Sequence, residues 1–426
     1  MAYQMMKGKK DNFPFIPGMI ARYSALGLTN EQMAANPVWV DKTGNGHDLQ
    51  MKNFAWKEGS GISDIYPGAL VFDGVDDWAG CDNLPLLPKE KGYSIIALRN
   101  WITRYDATQY KRPLISNLDT NDEGAFLIEY RKDENVNDVT GSYNSFTDVY
   151  IDDNNPITWQ TSSSYNGQII KKGTSKSTNK LCICKTYFGQ LSNYVNAAIW
   201  ELVILDHDAI EEELTKIKDY FVKTYPWLFP DQAWTVVGKT NEDEDRATIA
   251  NITGNGNNLV LSNFGFAEGS GYNEEGEYAG YLVTDGVDDK ITSSIFEMGN
   301  DWTIIGDWEL INTGKKDNAG IVKFNSIVIY NYNPILINIK NGRNNLIPDQ
   351  NTVNAICSDG RIYSKDWKES IYNEETESTS KNFLTIGYSG NSYTKIAFKN
   401  FAIYPRIFSK EDCIKAYNYL QILKAK

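Results

Sequence analysis

Six aspartates fall in two short runs of one design. Leu70–Asp77 reads LVFDGVDD and Leu282–Asp289 reads LVTDGVDD. Each run brings three carboxylates together around an Asp-Gly turn: Asp73, Asp76 and Asp77 in the first, Asp285, Asp288 and Asp289 in the second. Carboxylates so placed are hard oxygen donors of the kind calcium takes. The same residues have a plain structural reading. The first Asp caps the backbone N–H groups of the turn, Gly takes the φ that other residues avoid, and the remaining acids point to water. No cofactor other than calcium is expected, and these six aspartates are its candidate ligands.

The rest of the chain is poor in reactive groups. It holds two histidines, His47 and His207. A catalytic triad needs a base within reach of a nucleophile, and no G-x-S-x-G elbow is present. Jelly-roll glycosidases set their acids at alternating positions of one strand, as E-x-D-x-x-E. No Glu here is followed two positions later by Asp. Gly238-Lys239-Thr240 has the end of a phosphate loop, but Ala233 stands where the leading Gly belongs, and the segment repeats Gly27–Thr29. The expectation is a chain that is not an enzyme. Glu211–Glu213 and the acids Asp243 and Asp245 read as solvated charge.

The cysteines, Cys81, Cys182, Cys184, Cys357 and Cys413, are odd in number and do not recur between the copies described next, so free thiols are expected. Cys182 and Cys184 lie two apart in a strand-like run and would share a face. Nothing nearby completes four metal ligands, and burial as small apolar groups is the expected role.

The elements that carry these residues are written twice. Thr43–Gly61, TGNGHDLQMKNFAWKEGSG, matches Thr253–Gly271, TGNGNNLVLSNFGFAEGSG, with no gap. Tyr165–Ile170 (YNGQII) answers Ser358–Tyr363 (SDGRIY), Leu181–Cys184 (LCIC) answers Leu384–Gly387 (LTIG), and Trp200–Leu205 answers Lys399–Tyr404. A long period repeated once means two modules, each large enough for its own core. Asn45–Gly46 and Asn255–Gly256 are tight-turn pairs. The runs between turns are β-branched and aromatic, as strands prefer. Each copy closes with a helix: Asp208 and Glu211 form a capping box before Ala209–Val222, and Ser409 and Asp412 another before Lys410–Leu423. Ile210, Leu214, Ile217 and Phe221 form one apolar stripe, and Cys413, Ile414, Tyr417 and Leu420 the other. The expected division is a tail at 1–18, a sandwich at 19–226, a stiff hinge at 227–232 (Pro226 and Pro230 flank its apolar residues) and a second sandwich at 233–426. The tail is either an anchor or solvated chain.

The ordered series N-G-N-x-L, L-V-F-D-G-x-D-D, x-D-G-R-I-Y and L-x-I-G, then a strand running into a short helix, resembles the laminin-G-like branch of the concanavalin A-like jelly rolls. The resemblance covers Ala21–Lys426 in two copies. It implies an all-β fold of two tandem concanavalin A-like (laminin-G-like) jelly-roll β-sandwiches, each closed by a C-terminal helix. Such domains often hold calcium and often bind glycans. The D-G-V-D-D form with the closing helix Lys415–Leu420 resembles modules in structural proteins of tailed phages of gut bacteria, including crAss-like phages. The first copy departs in lacking a Gly where the second has Gly387, and in a longer middle region.

Composition narrows the partners. The net charge is −13 and both halves are acidic, so a duplex or a phospholipid surface would repel the chain. No stretch approaches a membrane span. The opening, MAYQMMKGKKDNFPFIPG, has no apolar core before a cleavage site. The expectation is a protein made in a host cytoplasm and placed on a virion surface, as a head or tail fibre, spike or decoration. Its partners would be capsid or tail proteins, further copies of itself in a homo-oligomer, and host-surface glycans. Asn-, Ser- and Tyr-rich loops at Thr140–Ser145, Thr161–Gly167 and Tyr330–Asn333 suit sugars or a protein interface. The alternatives are a purely structural virion part and a bacterial glycan-binding protein.

Overall fold

A computed structural model describes residues 12–87, 92–102, 112–118, 127–130, 145–147, 156–161, 178–188, 193–297, 299–311, 319–324, 327–331, 335–339, 343–347, 353–371, 384–389 and 392–425. The chain divides into two compact units, Met1–Thr224 and Tyr225–Lys426.

The first unit runs β1 (Met19–Ser24), α1 (Asn30–Ala35), β2 (Val38–Trp39), β3 (Leu49–Lys52), β4 (Gly61–Ile62), β5 (Leu70–Asp73), β6 (Trp78–Cys81), β7 (Ser94–Trp101), β8 (Arg112–Ser116), β9 (Leu127–Tyr130), β10 (Ser145–Thr147), β11 (Ile157–Thr161), β12 (Leu181–Ile183), β13 (Asn196–Leu205) and α2 (Glu211–Thr224). One sheet has the order β11-β7-β13-β5-β4, with β1 also on β13; the other has β10-β9-β8-β12-β6-β3-β2. Alternation sets the faces: in β3, Leu49 and Met51 are buried and Gln50 and Lys52 exposed. Leu49, Met51 and Ile183 of one sheet meet Phe72, Ile95 and Leu202 of the other in a single core. That is a sandwich.

The second unit repeats the plan with β14 (Gln232–Thr235), β15 (Thr248–Ile249), β16 (Leu259–Ser262), β17 (Gly271–Asn273), β18 (Tyr281–Val283), β19 (Lys290–Ser293), β20 (Thr303–Leu310), β21 (Ala319–Phe324), β22 (Ile327–Asn331), β23 (Ile335–Ile339), β24 (Arg343–Ile347), β25 (Val353–Cys357), β26 (Arg361–Ser364), β27 (Glu369–Ile371), β28 (Leu384–Ile386), β29 (Tyr388–Ser389), β30 (Ser392–Tyr393), β31 (Ile396–Tyr404) and α3 (Lys410–Ile422). The order β17-β18-β31-β20-β25 reproduces β4-β5-β13-β7-β11, and β14 lies on β31 as β1 lies on β13. Both long strands bulge at one place, Trp200 and Lys399, against β7 and β20. The fold is all-β, with a closing helix.

The repeated TGNG turn is a brace between strands. Asp41 Oδ1 accepts from the backbone N–H of Arg22 (3.1 Å) and Thr43 (3.0 Å). Asn251 Oδ1 accepts from Ala233 (3.3 Å) and Thr253 (3.0 Å).

Several expectations are corrected in detail. Helix α2 begins at Glu211, three residues after Asp208, and Glu213 accepts from the N–H of Ile210 just ahead of the helix at 3.1 Å. Glu213 is buried rather than solvated, and Ile210 is exposed outside the helix. Ser409 does cap α3, accepting from Asp412 N at 3.1 Å. Cys182 and Cys184 do not share a face. The strand ends at Ile183, and Cys184 turns into the core at φ 58°. Residues Pro226–Leu228 form a 3-10 helix buried in the second unit, where Tyr404 Oη donates to the Trp227 carbonyl at 3.0 Å. In the tail, residues 1–11 lie outside the described part, whereas Ile16 is buried and Phe13 packs on Tyr220. All five cysteines are free and buried.

Candidate functional site

The two aspartate turns fold alike. Strand β5 ends at Asp73, Gly74 takes φ 78°, and β6 leaves from Trp78. Asp73 Oδ1 accepts from the N–H groups of Val75 (2.8 Å), Asp76 (3.2 Å) and Asp77 (3.3 Å). Asp77 Oδ2 accepts in return from Asp73 N at 3.0 Å. Between β18 and β19, Asp285 Oδ1 accepts from Val287 (2.7 Å), Asp288 (3.3 Å) and Asp289 (3.4 Å), and Asp289 Oδ2 accepts from Asp285 N at 2.7 Å. Glycine is required at the turn. A Cβ on Gly74 would stand 2.7 Å from Asn196 N, and one on Gly286 would stand 3.0 Å from Lys395 N.

Of the three acids in each run, the first caps, the second faces water and the third is buried. Asp77 and Asp289 are 0% exposed, and the Oδ1 of each has no hydrogen-bond partner among the described residues. Burial pushes both up to about 6, against the pull of Ser60 and the Asp73 amide on Asp77, and of the Asp285 amide and Ser270 on Asp289. Ligand atoms of Asp73, Asp76 and Asp77 lie within 4.8 Å of one another, as do those of Asp285, Asp288 and Asp289. An all-carboxylate donor set with an unbonded buried oxygen fits calcium. Asp73, Asp76 and Asp77 would hold it in the first unit, and Asp285, Asp288 and Asp289 in the second.

Beside each turn sits a group that the sequence reading missed. In the first unit Lys185 Nζ lies 4.1 Å from the Trp78 ring centroid and 5.8 Å from that of Tyr194. Trp78 meets Phe188 edge to face at 5.7 Å, and Lys180 Nζ lies 5.0 Å over Phe188. Gly80 makes room for the indole; a Cβ there would stand 2.7 Å from it. Lys185 is 5% exposed, and burial lowers its pKa. Burial and the Asp76 carboxylate raise that of Tyr194, which ties this cluster to the turn. In the second unit Lys290 Nζ lies 5.8 Å over Tyr388, whose ring meets Tyr393 at 5.0 Å. Trp78 and Lys290 both follow the DGVDD run, and Lys185 and Tyr388 both come two residues after the end of β12 or β28. The cation and the aromatic have exchanged places. An alignment reads each position as a mismatch, which is why the pairing was hidden.

The other sequence candidates have structural partners. His207 is held between Asp206 Oδ1 (3.0 Å) and Glu213 Oε2 (2.9 Å). The carbonyl of His47 accepts from Tyr23 Oη (2.5 Å), as that of Asn257 accepts from Trp234 Nε1 (2.7 Å). Lys239 pairs with Asp245, and Asp243 accepts from Thr240 N at 2.9 Å. The loops 140–145, 161–167 and 330–333 and the motif Tyr165–Ile170 lie wholly or largely outside the described residues.

No family model matches the chain. No curated protein matches it either. Among solved structures it is similar to a Trypanosoma rangeli sialidase in complex with sialic acid, at 8% identity and TM-score 0.33 over 55% of this chain and 41% of that one. It is also similar to the receptor binding domain of botulinum neurotoxin type G, at 12% identity and TM-score 0.28 over 44% and 50%. The binding domain of Paraclostridial Mosquitocidal Protein 1 matches at 14% identity and TM-score 0.28 over 44% and 51%. The chain spans about two fifths of the sialidase. These matches include sialidases, which corrects the expectation that the chain is not an enzyme. Likeness at this level assigns no chemistry to the chain.

Proposed function

We propose that the chain is an attachment protein that presents two sandwich modules, each with a binding corner at its aspartate turn, to surface glycans. The observation that carries this reading is duplication of the corner. Two units with separate cores keep the same capped turn, the same buried acid and a cation facing aromatic rings. The capped turn serves the fold, but a buried acid with an unbonded oxygen and a cation facing rings are not needed to close it, and two weak sites on one chain bind a repetitive surface with avidity. Calcium at Asp73, Asp76 and Asp77 and at Asp285, Asp288 and Asp289 is part of the proposal, as a rigid positive point beside the corner.

The setting we propose is a phage particle, with the chain as a homo-oligomeric head or tail component held by capsid or tail proteins. The D-G-V-D-D dialect supports it. Immunogold electron microscopy with antiserum to the chain tests the setting: label on particles is expected, and label on uninfected host cells alone would refute it. Retention on immobilised polysaccharide tests the glycan.

A further inference from the structure

We propose that the corner beside each aspartate turn takes an acidic sugar, whose ring lies on Trp78 in the first unit or on Tyr388 and Tyr393 in the second, and whose carboxylate or sulfate meets Lys185 or Lys290. The inference rests on the glycan reading above and adds the class of glycan and the residues that hold it.

An ammonium that is largely removed from water is costly unless something compensates it. Lys185 is 5% exposed, and among the described residues no carboxylate pairs with it or with Lys290. Facing aromatic rings compensate only in part. An anionic group would supply the rest. In a chain of net charge −13, cations left without acids are the more telling.

The exchange between units is the second observation. Were the corner mere packing, an apolar pair would serve in either copy. What recurs is one ammonium over one ring, with Trp78 and Lys185 in the first unit and Lys290 and Tyr388 in the second. An aromatic face takes the apolar face of a sugar ring, and a cation takes its acid. The third observation lies at the tip of each turn. Val75 is 72% exposed and Val287 71%, each flanked by a water-facing acid, Asp76 or Asp288. An apolar tip with an acceptor beside it suits a sugar's CH face and a neighbouring hydroxyl.

The test passes the full chain over immobilised polygalacturonate, dextran sulfate and neutral dextran. Two double variants accompany it, K185M with K290M and V75E with V287E. The expected result is retention on one acidic support, which tells carboxylate from sulfate, and none on dextran. The lysine pair should weaken binding by about tenfold or more, the worth of one charge-assisted contact per site, and the valine pair should weaken it too, by setting a like charge against the sugar's acid. The second pair lies on exposed tips, so it stands if the lysine variants fail to fold. Equal retention on dextran, unchanged in the variants, would overturn the acidic-sugar inference and leave the glycan reading intact. Acidic binding that both double variants retain would overturn the site. Retention on none of the three would overturn the inference and the glycan reading together.

Discussion

The first unit buries an ion pair where the second buries an amide. Arg22 on β1 meets Glu201 on β13 at 3.1 Å, with both side chains almost wholly out of water. Tyr220 of α2 accepts from the same guanidinium at 2.9 Å, and Phe13 lies 4.0 Å from it. In the second unit Ala233 and Asn400 stand at the matching registers of β14 and β31, and neither side-chain polar atom of Asn400 has a hydrogen-bond partner among the described residues. One architecture thus tolerates two solutions at its centre. The first ties the tail, the sheet and the closing helix through one buried charge; the second has no charge at that position and links Trp227 to β31 through the Tyr404 hydroxyl instead.

The largest expected effect breaks that difference. Glu201→Ala strands the Arg22 charge and should destabilise the first unit by about 3–5 kcal/mol, whereas Asn400→Leu in the second should change stability by less than about 1 kcal/mol. Urea unfolding followed by hydrogen exchange of each unit checks both. Equal losses in the two units would show that the ion pair has no special role.

Next comes the strand end after β12 and β28. Cys184 holds φ 58° where Gly387 holds 77°. A Cβ at 387 would stand 3.1 Å from Thr284 Cγ2. Gly387→Cys, which copies the first unit, should cost the second about 1–2 kcal/mol in thermal or urea unfolding. No loss would mean that the turn relaxes freely.

Titration should treat the units alike at one place and differently at another. Asp77 and Asp289 rise from 3.8 to about 6 on folding. The folded chain therefore holds protons that the unfolded chain releases, and both units lose stability as pH rises from about 4 to 6. Asp77→Asn should flatten that slope in the first unit alone. Calcium, which needs the ionised acids, should raise the melting temperature more at pH 7 than at pH 5, and the two triads give the effect in both units.

The smallest effect belongs to His207, which stands where the second unit has Arg406. Burial pulls its pKa down, but the hydrogen bonds and charges of Glu213 and Asp206 outweigh burial and raise it above 6.5. Its contribution is full below 6.5 and is lost as pH climbs through the raised value. His207→Arg should remove this dependence, leaving a first unit as insensitive near neutrality as the second.

How much of this could be read from the chain follows from distance along it. The turns were legible because Asp-Gly and Asn-Gly are local, and so was Ser409 as a cap. The sandwich pattern followed from the β-branched and aromatic runs set between those turns and from their repetition. The Arg22–Glu201 pair was not, since 179 residues separate its members and each reads as surface charge. The exchanged Trp78–Lys185 and Lys290–Tyr388 pairs were hidden because each position taken alone looks like divergence. Cys184 misled because period-two alternation was carried one residue past the strand's end. At α2, Asp208 looked like the cap, but the backbone reaches helical form only at Glu211, and Glu213 bonds the free N–H from inside.

The central claim is that two corners, built from exchanged partners, do one job. Calorimetric titration of the intact chain with a short oligosaccharide of whichever acidic polymer it retains tests this directly. The prediction is two sites per chain, falling to one in Lys290→Met and to one in Lys185→Met. A single site in the intact chain, or two sites that both survive those substitutions, would contradict it.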